Sequence, residues 1–100
     1  MDELDEMLDE EFMEELKHEF IQRLIDEFTK TPDFLKKNDY REIRRIAHDI
    51  KGTAGTFGYD EGSEIAKELQ YASENKEKEK VEKLIKKLND YFKEQGIELL

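Results

Sequence analysis

The sequence predicts an all-α protein, an antiparallel up-down four-helix bundle with a short extra helical segment allowed at the N-terminus. Three observations carry that expectation. Apolar residues recur at helical spacing, and no stretch alternates with the period of a strand. One proline and five glycines punctuate 100 residues, leaving short loops that favour antiparallel neighbours. The chain is 44% charged and only 36% apolar, a balance that leans toward disorder unless the apolar residues are periodic. Because they are, the composition suits long amphipathic helices with solvated outer faces.

Taken in order, Met13, Leu16, Phe20 and Leu24 fall on one stripe, widened by Ile21, Ile25 and Phe28. A first helix therefore runs to about Lys30, where Thr31-Pro32 ends it because proline cannot continue the hydrogen-bond ladder. The short extra segment would lie within residues 2–9. Asp39 followed by Glu42 has the spacing of an N-cap and its reciprocal partner. A second helix follows from Tyr40 to Phe57, with Gly58 as a left-handed C-terminal cap. Asp60 can cap a third helix through Glu74, with Ile65, Ala66, Leu69 and Ala72 inward. After a turn at 75–78, a fourth helix reaches Glu94 with Val81, Leu84, Ile85, Leu88 and Phe92 inward, and Gly96 stops it. Residues 1–100 thus form one domain, an acidic segment over 1–9 and a helical bundle over 10–96.

The net charge of −10 argues against a bare binder of nucleic acid or anionic membrane, since the overall field repels phosphate. Nine of the acids lie within residues 1–15, where there is no Lys or Arg; the remainder, 18 acids against 17 bases, is close to neutral. Without cysteine, disulfide frameworks and thiolate metal sites are excluded. No apolar run approaches the roughly 20 residues of a membrane span, and the N-terminus lacks the pattern of a signal peptide. A cytoplasmic, monomeric protein is the expectation.

The second helix holds the chemistry. With Ile43 at the origin of a 100° wheel, Ile46, Ala47, Ile50, Ala54 and Phe57 fall within about 60° of it, whereas His48 lies at about 140°. Arg41, Arg44, Lys51, Gly52 and Gly55 surround that histidine. Each glycine costs about 1 kcal/mol relative to alanine inside a helix. Close helix packing, a frayed end, or access for another protein to the imidazole would each account for them; the wheel places both on the outer side. Four cations against two acids make residues 40–57 locally basic. They form either a solvated face satisfying its own ion pairs or a surface suited to an anion. His18, among Glu14, Glu15 and Glu19, reads as a surface histidine. Gly52-x-x-Gly55-x-x-Gly58 is no P-loop, because no Gly-Lys-Ser/Thr follows it and no strand precedes it.

The run Ala47-His48-Asp49-Ile50-Lys51-Gly52-Thr53-Ala54-Gly55-Thr56-Phe57-Gly58 resembles the signature of the histidine phosphotransfer (HPt) family, A-H-x-[LI]-K-G-x-[AS]-x-x-x-G. Gly55-Thr56-Phe57-Gly58-Tyr59 is similar to the phosphotransfer domain of chemotaxis histidine kinases. The resemblance implies a helical bundle that accepts a phosphoryl group on one histidine and exchanges it with an aspartate of a receiver domain. By position His48 resembles the phosphoacceptor, Lys51 the supporting lysine, Gly52 the glycine beside the imidazole, and Gly58 the helix-ending glycine. Gln70 stands where the family often has glutamine or glutamate. Gly62 departs from the pattern, since an apolar residue such as leucine is common there.

No kinase activity of its own and no bound cofactor are implied; Mg²⁺ is expected on the partner receiver domain. The expected partners are a response-regulator receiver, a histidine kinase, or both. Docking would use Arg41, Arg44 and Gly55, with Leu8, Phe12 and Ile25 as apolar candidates on the first helix or, on the bland reading, as cover for the core. Two other identities fit the same residues: the excised N-terminal phosphoacceptor domain of a chemotaxis-type kinase, and a non-catalytic helical adaptor.

Overall fold

A computed structural model describes the backbone of residues 3–100 and side-chain environments from Glu10 onward. Among these residues there are four long helices and one short one: α1 (Glu3–Phe28), α2 (Thr31–Lys36), α3 (Tyr40–Thr56), α4 (Asp60–Glu74) and α5 (Lys78–Glu94). The long helices form the expected all-α bundle. α1 is one continuous helix from Glu3, so the described residues contain no separate N-terminal segment of the kind the sequence allows.

α1 runs antiparallel to α3. Phe20 stacks on Phe57 at the end of α3, with ring centroids 5.4 Å apart, while Glu27 bonds Arg45 near its start. A 26-residue helix spans about 39 Å against about 25 Å for α3, so the N-terminal half of α1 projects beyond its neighbour. Residues 10–15 are accordingly all exposed. This corrects the placement of Met13 on the core stripe: it is 42% exposed, because the surface it would pack against ends at the level of Phe57 and Tyr59.

Thr31-Pro32 does end α1, but it also begins α2. Proline lacks the N–H that the first turn of a helix leaves unpaired anyway, so it starts a helix as readily as it stops one. Thr31 is fully buried and its hydroxyl donates to Phe28 O at 2.8 Å. Phe34 and Leu35 then pack against the core.

The loops share one construction. At the end of α3, Tyr59 N donates to Ala54 O (2.9 Å) and Gly58 N to Gly55 O (3.3 Å), with Gly58 at φ 86°. The same pair of bonds closes α2 around Asn38, α4 around Lys76 and α5 around Gly96. In three of these four loops the residue after the left-handed position is also the N-cap of the next helix: Asp39, Tyr59 and Glu77. Asp39 fills that role, its carboxylate accepting from Glu42 N at 3.3 Å, but the reciprocal bond is not made: Asp39 N donates to Phe34 O, and the Glu42 carboxylate accepts from Arg45 instead. Asp60 does not cap α4. Tyr59 is the cap and makes no side-chain capping bond, while Asp60 and Glu61 occupy the first turn, where their charge favours the helix dipole.

The core gathers the inward residues named above from α3, α4 and α5, with Phe20, Leu24 and Phe28 from α1. Beyond Gly96, Ile97 and Leu99 fold back into it. Gly62 is buried, and the space a side chain would fill is taken by aromatic rings. A Cβ there would stand 2.7 Å from Tyr91 Cε2 and 3.2 Å from Phe92 Cζ. Rings contributed from α5 thus fill the space where the signature that this chain resembles commonly has an apolar side chain. Gly62→Ala should therefore lower stability by about 1–3 kcal/mol, as overpacking does. Urea denaturation measures this, and an unchanged midpoint would show that the rings move aside freely.

Candidate functional site

α3 forms because one face can be buried completely and its first turn is capped. Ile43, Ile46, Ala47, Ile50 and Ala54 are at most 4% exposed. That burial fixes the rotation of the helix and turns His48 outward, where it is exposed. Arg41, Glu42, Arg44, Arg45, His48 and Gln70 line one shallow groove where α3 meets α4. Lys51 is half-buried one turn beyond the histidine, and its carbonyl accepts from Ser63 Oγ of α4 at 2.7 Å.

The surroundings of the two glycines decide between packing and access. Among the described residues nothing lies within 4 Å of a Cβ placed at Gly52, and one at Gly55 would meet only the Ser63 side chain, Oγ at 3.6 Å, an ordinary contact. Helix packing within the chain requires neither. Nor is this a frayed end: the helix continues to Thr56, whose hydroxyl bonds Gly52 O at 3.3 Å, and Gly58 closes it in an ordered cap. Neither packing within the chain nor fraying accounts for Gly52, and its side of α3, one turn from His48, is open.

The basic character of α3 is half compensated. Arg45 meets Glu27 of α1 at 2.9 Å, Glu42 at 3.0 Å and Asp49 at 3.6 Å. Its pKa is raised above the usual range, first by the hydrogen bond to Glu27. Arg44 Nε meets Glu74 Oε1 at 2.9 Å, and this bond is the main reason the Glu74 carboxyl lies below its ordinary pKa. Arg41 and Lys51 have no carboxylate within 4 Å among the described residues.

Gln70 is half-buried. Its Nε2 donates to Glu74 Oε1 at 3.4 Å, and its Oε1 is buried without a hydrogen-bond partner among the described residues. An unpaired buried amide oxygen is costly unless it finds a donor, and Gln70 lines the same groove as the imidazole.

The candidate docking residues fall into different places. Phe12 is 59% exposed on the projecting part of α1. It lies about 12 Å beyond Phe20 along the axis, with His48 about 13 Å in the opposite direction from Phe57, so the structure does not bring Phe12 and His48 together. Ile25 packs against the core with part of its surface left open. Leu8 lies outside the residues whose side chains are described. His18 is exposed, as expected of a surface histidine.

Sequence reasoning passes over three contributors: Glu74, which holds both Arg44 and Gln70; Ser63, which ties α4 to α3 beside Gly55; and Glu27, which draws Arg45 toward α1. Only Glu74 leaves a signal, its four-residue spacing from Gln70. A second groove, between α1 and α3, is lined by Leu16, Phe20, Arg23, Thr53, Thr56 and Phe57.

No helix among the described residues is long and apolar enough to cross a membrane. The family model described as Hpt domain matches residues 3–95, nearly the whole chain. No curated protein and no solved structure gives a match. Because Gly52 faces open space, Gly52→Ala should raise stability by about 0.5–1 kcal/mol. Urea denaturation checks this; a destabilised variant would point to a packing role that the geometry lacks.

Proposed function

The chain belongs to the Hpt domain family, and from that membership we propose that His48 accepts a phosphoryl group and exchanges it with an aspartate of a response-regulator receiver domain. Hpt domains serve histidine phosphotransfer in phosphorelay signalling and are phosphocarrier modules without kinase activity of their own. They act with kinases and receiver domains. The observation that carries the reading for this chain is an exposed imidazole one turn from a glycine that faces open space.

Near neutral pH a histidine supplies an uncharged nitrogen nucleophile. In this reading Nε2 attacks phosphorus, the bond from phosphorus to the partner's aspartate oxygen breaks, and its electron pair leaves with the carboxylate. The proton on Nδ1 stays, so the ring takes a positive charge beside the phosphoryl anion. The unpaired Gln70 Oε1 is an acceptor suited to holding that proton, which keeps the lone pair on Nε2. Lys51 and Arg41, neither held by a carboxylate among the described residues, are available to the incoming charge. The donor aspartate, and the Mg²⁺ expected with it, would come from the receiver; the contribution of this chain is alignment and charge.

The outer ridge of α3 would enter the receiver between the polar groove at α4 and the more apolar groove at α1. Gly52 and Gly55 let the partner's backbone approach, while Phe20 and Phe57 floor the second groove. Such encounters bury modest areas and are salt-sensitive where charges line them.

His48→Gln should abolish acid-labile phosphate uptake from a phosphorylated receiver while leaving the helical circular dichroism spectrum unchanged; persisting label would remove His48 from its role. Gly52→Lys should slow transfer at least about tenfold, the scale of a 1.4 kcal/mol steric penalty, without lowering the urea midpoint. Transfer at the wild-type rate would remove the argument from access.

A further inference from the structure

Resting on the assignment of phosphoryl chemistry to His48, we infer that Glu74 is a positioning residue that holds Arg44 in reserve and thereby sets how strongly the site grips a phosphoryl group. Arg44 lies one turn before His48 on α3, at a spacing that makes the two side chains neighbours, and both line the groove with Gln70. In the unphosphorylated protein that guanidinium is engaged by Glu74 Oε1 at 2.9 Å, and the same oxygen accepts from Gln70 Nε2 at 3.4 Å. One carboxylate oxygen from α4 therefore holds both an arginine of α3 and the Gln70 amide, two groups of the groove that His48 lines.

A phosphoryl group on His48 changes the competition. It presents about two charges and three acceptor oxygens against the single charge of a carboxylate. The pair it competes with is exposed and screened, so it yields readily. Arg44 moves from Glu74 to the phosphoryl oxygens, and Glu74 is left as a like charge nearby. The other charged groups of the groove do not substitute for Arg44: Arg45 is shared among Glu27, Glu42 and Asp49. Arg41 and Lys51 are present in both states and Glu42 is engaged with Arg45. Glu74 thus weakens the grip through Arg44, keeping the phosphoryl group transferable.

The test uses the full chain phosphorylated with phosphoramidate, with the phosphohistidine followed by ³¹P NMR as pH is varied. A cation nearby favours the more negative form and lowers the midpoint. Glu74→Gln, which keeps the shape and removes the charge, should lower the midpoint by about 0.3 pH unit, the scale of a screened surface pair. Arg44→Gln should raise it. In the Arg44→Gln background, Glu74→Gln should lower the midpoint by clearly less than in the wild type, because the part that Glu74 exerts through Arg44 is gone and only its direct charge remains. An equal lowering in that background, or none in the wild type, overturns the inference. Absence of any phosphohistidine signal from residue 48 in the wild type would instead overturn the phosphoacceptor assignment itself, and the inference with it.

Discussion

Burial of Ile43, Ile46, Ala47, Ile50 and Ala54 along one face of α3 is the interaction on which the rest depends. An α-helix has a single rotational freedom once its axis is set, and these five side chains remove it. With that face turned inward, His48 must stand outside, Gly52 must open to the surroundings, and Arg44 and Lys51 must flank the groove at α4. The site is a consequence of the core, which is why its residues need no special backbone geometry. The left-handed conformations occur instead in the loops, at Asn38, Gly58, Lys76 and Gly96.

Most of the fold is legible in the sequence because it rests on periodicity. The inward stripes of α3, α4 and α5 and the Asp39 cap match their sequence patterns. Met13 falls outside the core because a stripe says which side of a helix is apolar and nothing about where the neighbouring helix ends. α2 escapes a reading in which proline only terminates, although proline also fits a first turn. Asp60 has the residue type of a cap without the position of one. The hydrogen bonds that close α3 carry the chain into α4 one residue earlier, at Tyr59.

At the site, the wheel is sufficient to place His48 and both glycines outside. It does not say whether Gly52 packs against a neighbouring helix; the empty space on the side where a Cβ would stand excludes that among the described residues. Ion pairs between helices are beyond the reach of sequence, since they depend on relative height along the bundle. Glu27, far from Arg45 in sequence, and Glu74, far from Arg44, are the two that matter. They leave a basic helix with two ion-paired cations and, among the described residues, two with no carboxylate within 4 Å. Charge counting alone does not tell a self-satisfied face from one suited to an anion.

The central claim is that this one imidazole, through its outer nitrogen, takes up phosphorus. It is tested most directly by ¹⁵N–³¹P coupling in histidine-labelled protein after reaction with phosphoramidate. The account predicts coupling from phosphorus to Nε2 of His48, with Nδ1 retaining its proton. Coupling to His18 alone, or to Nδ1 of His48, would contradict it.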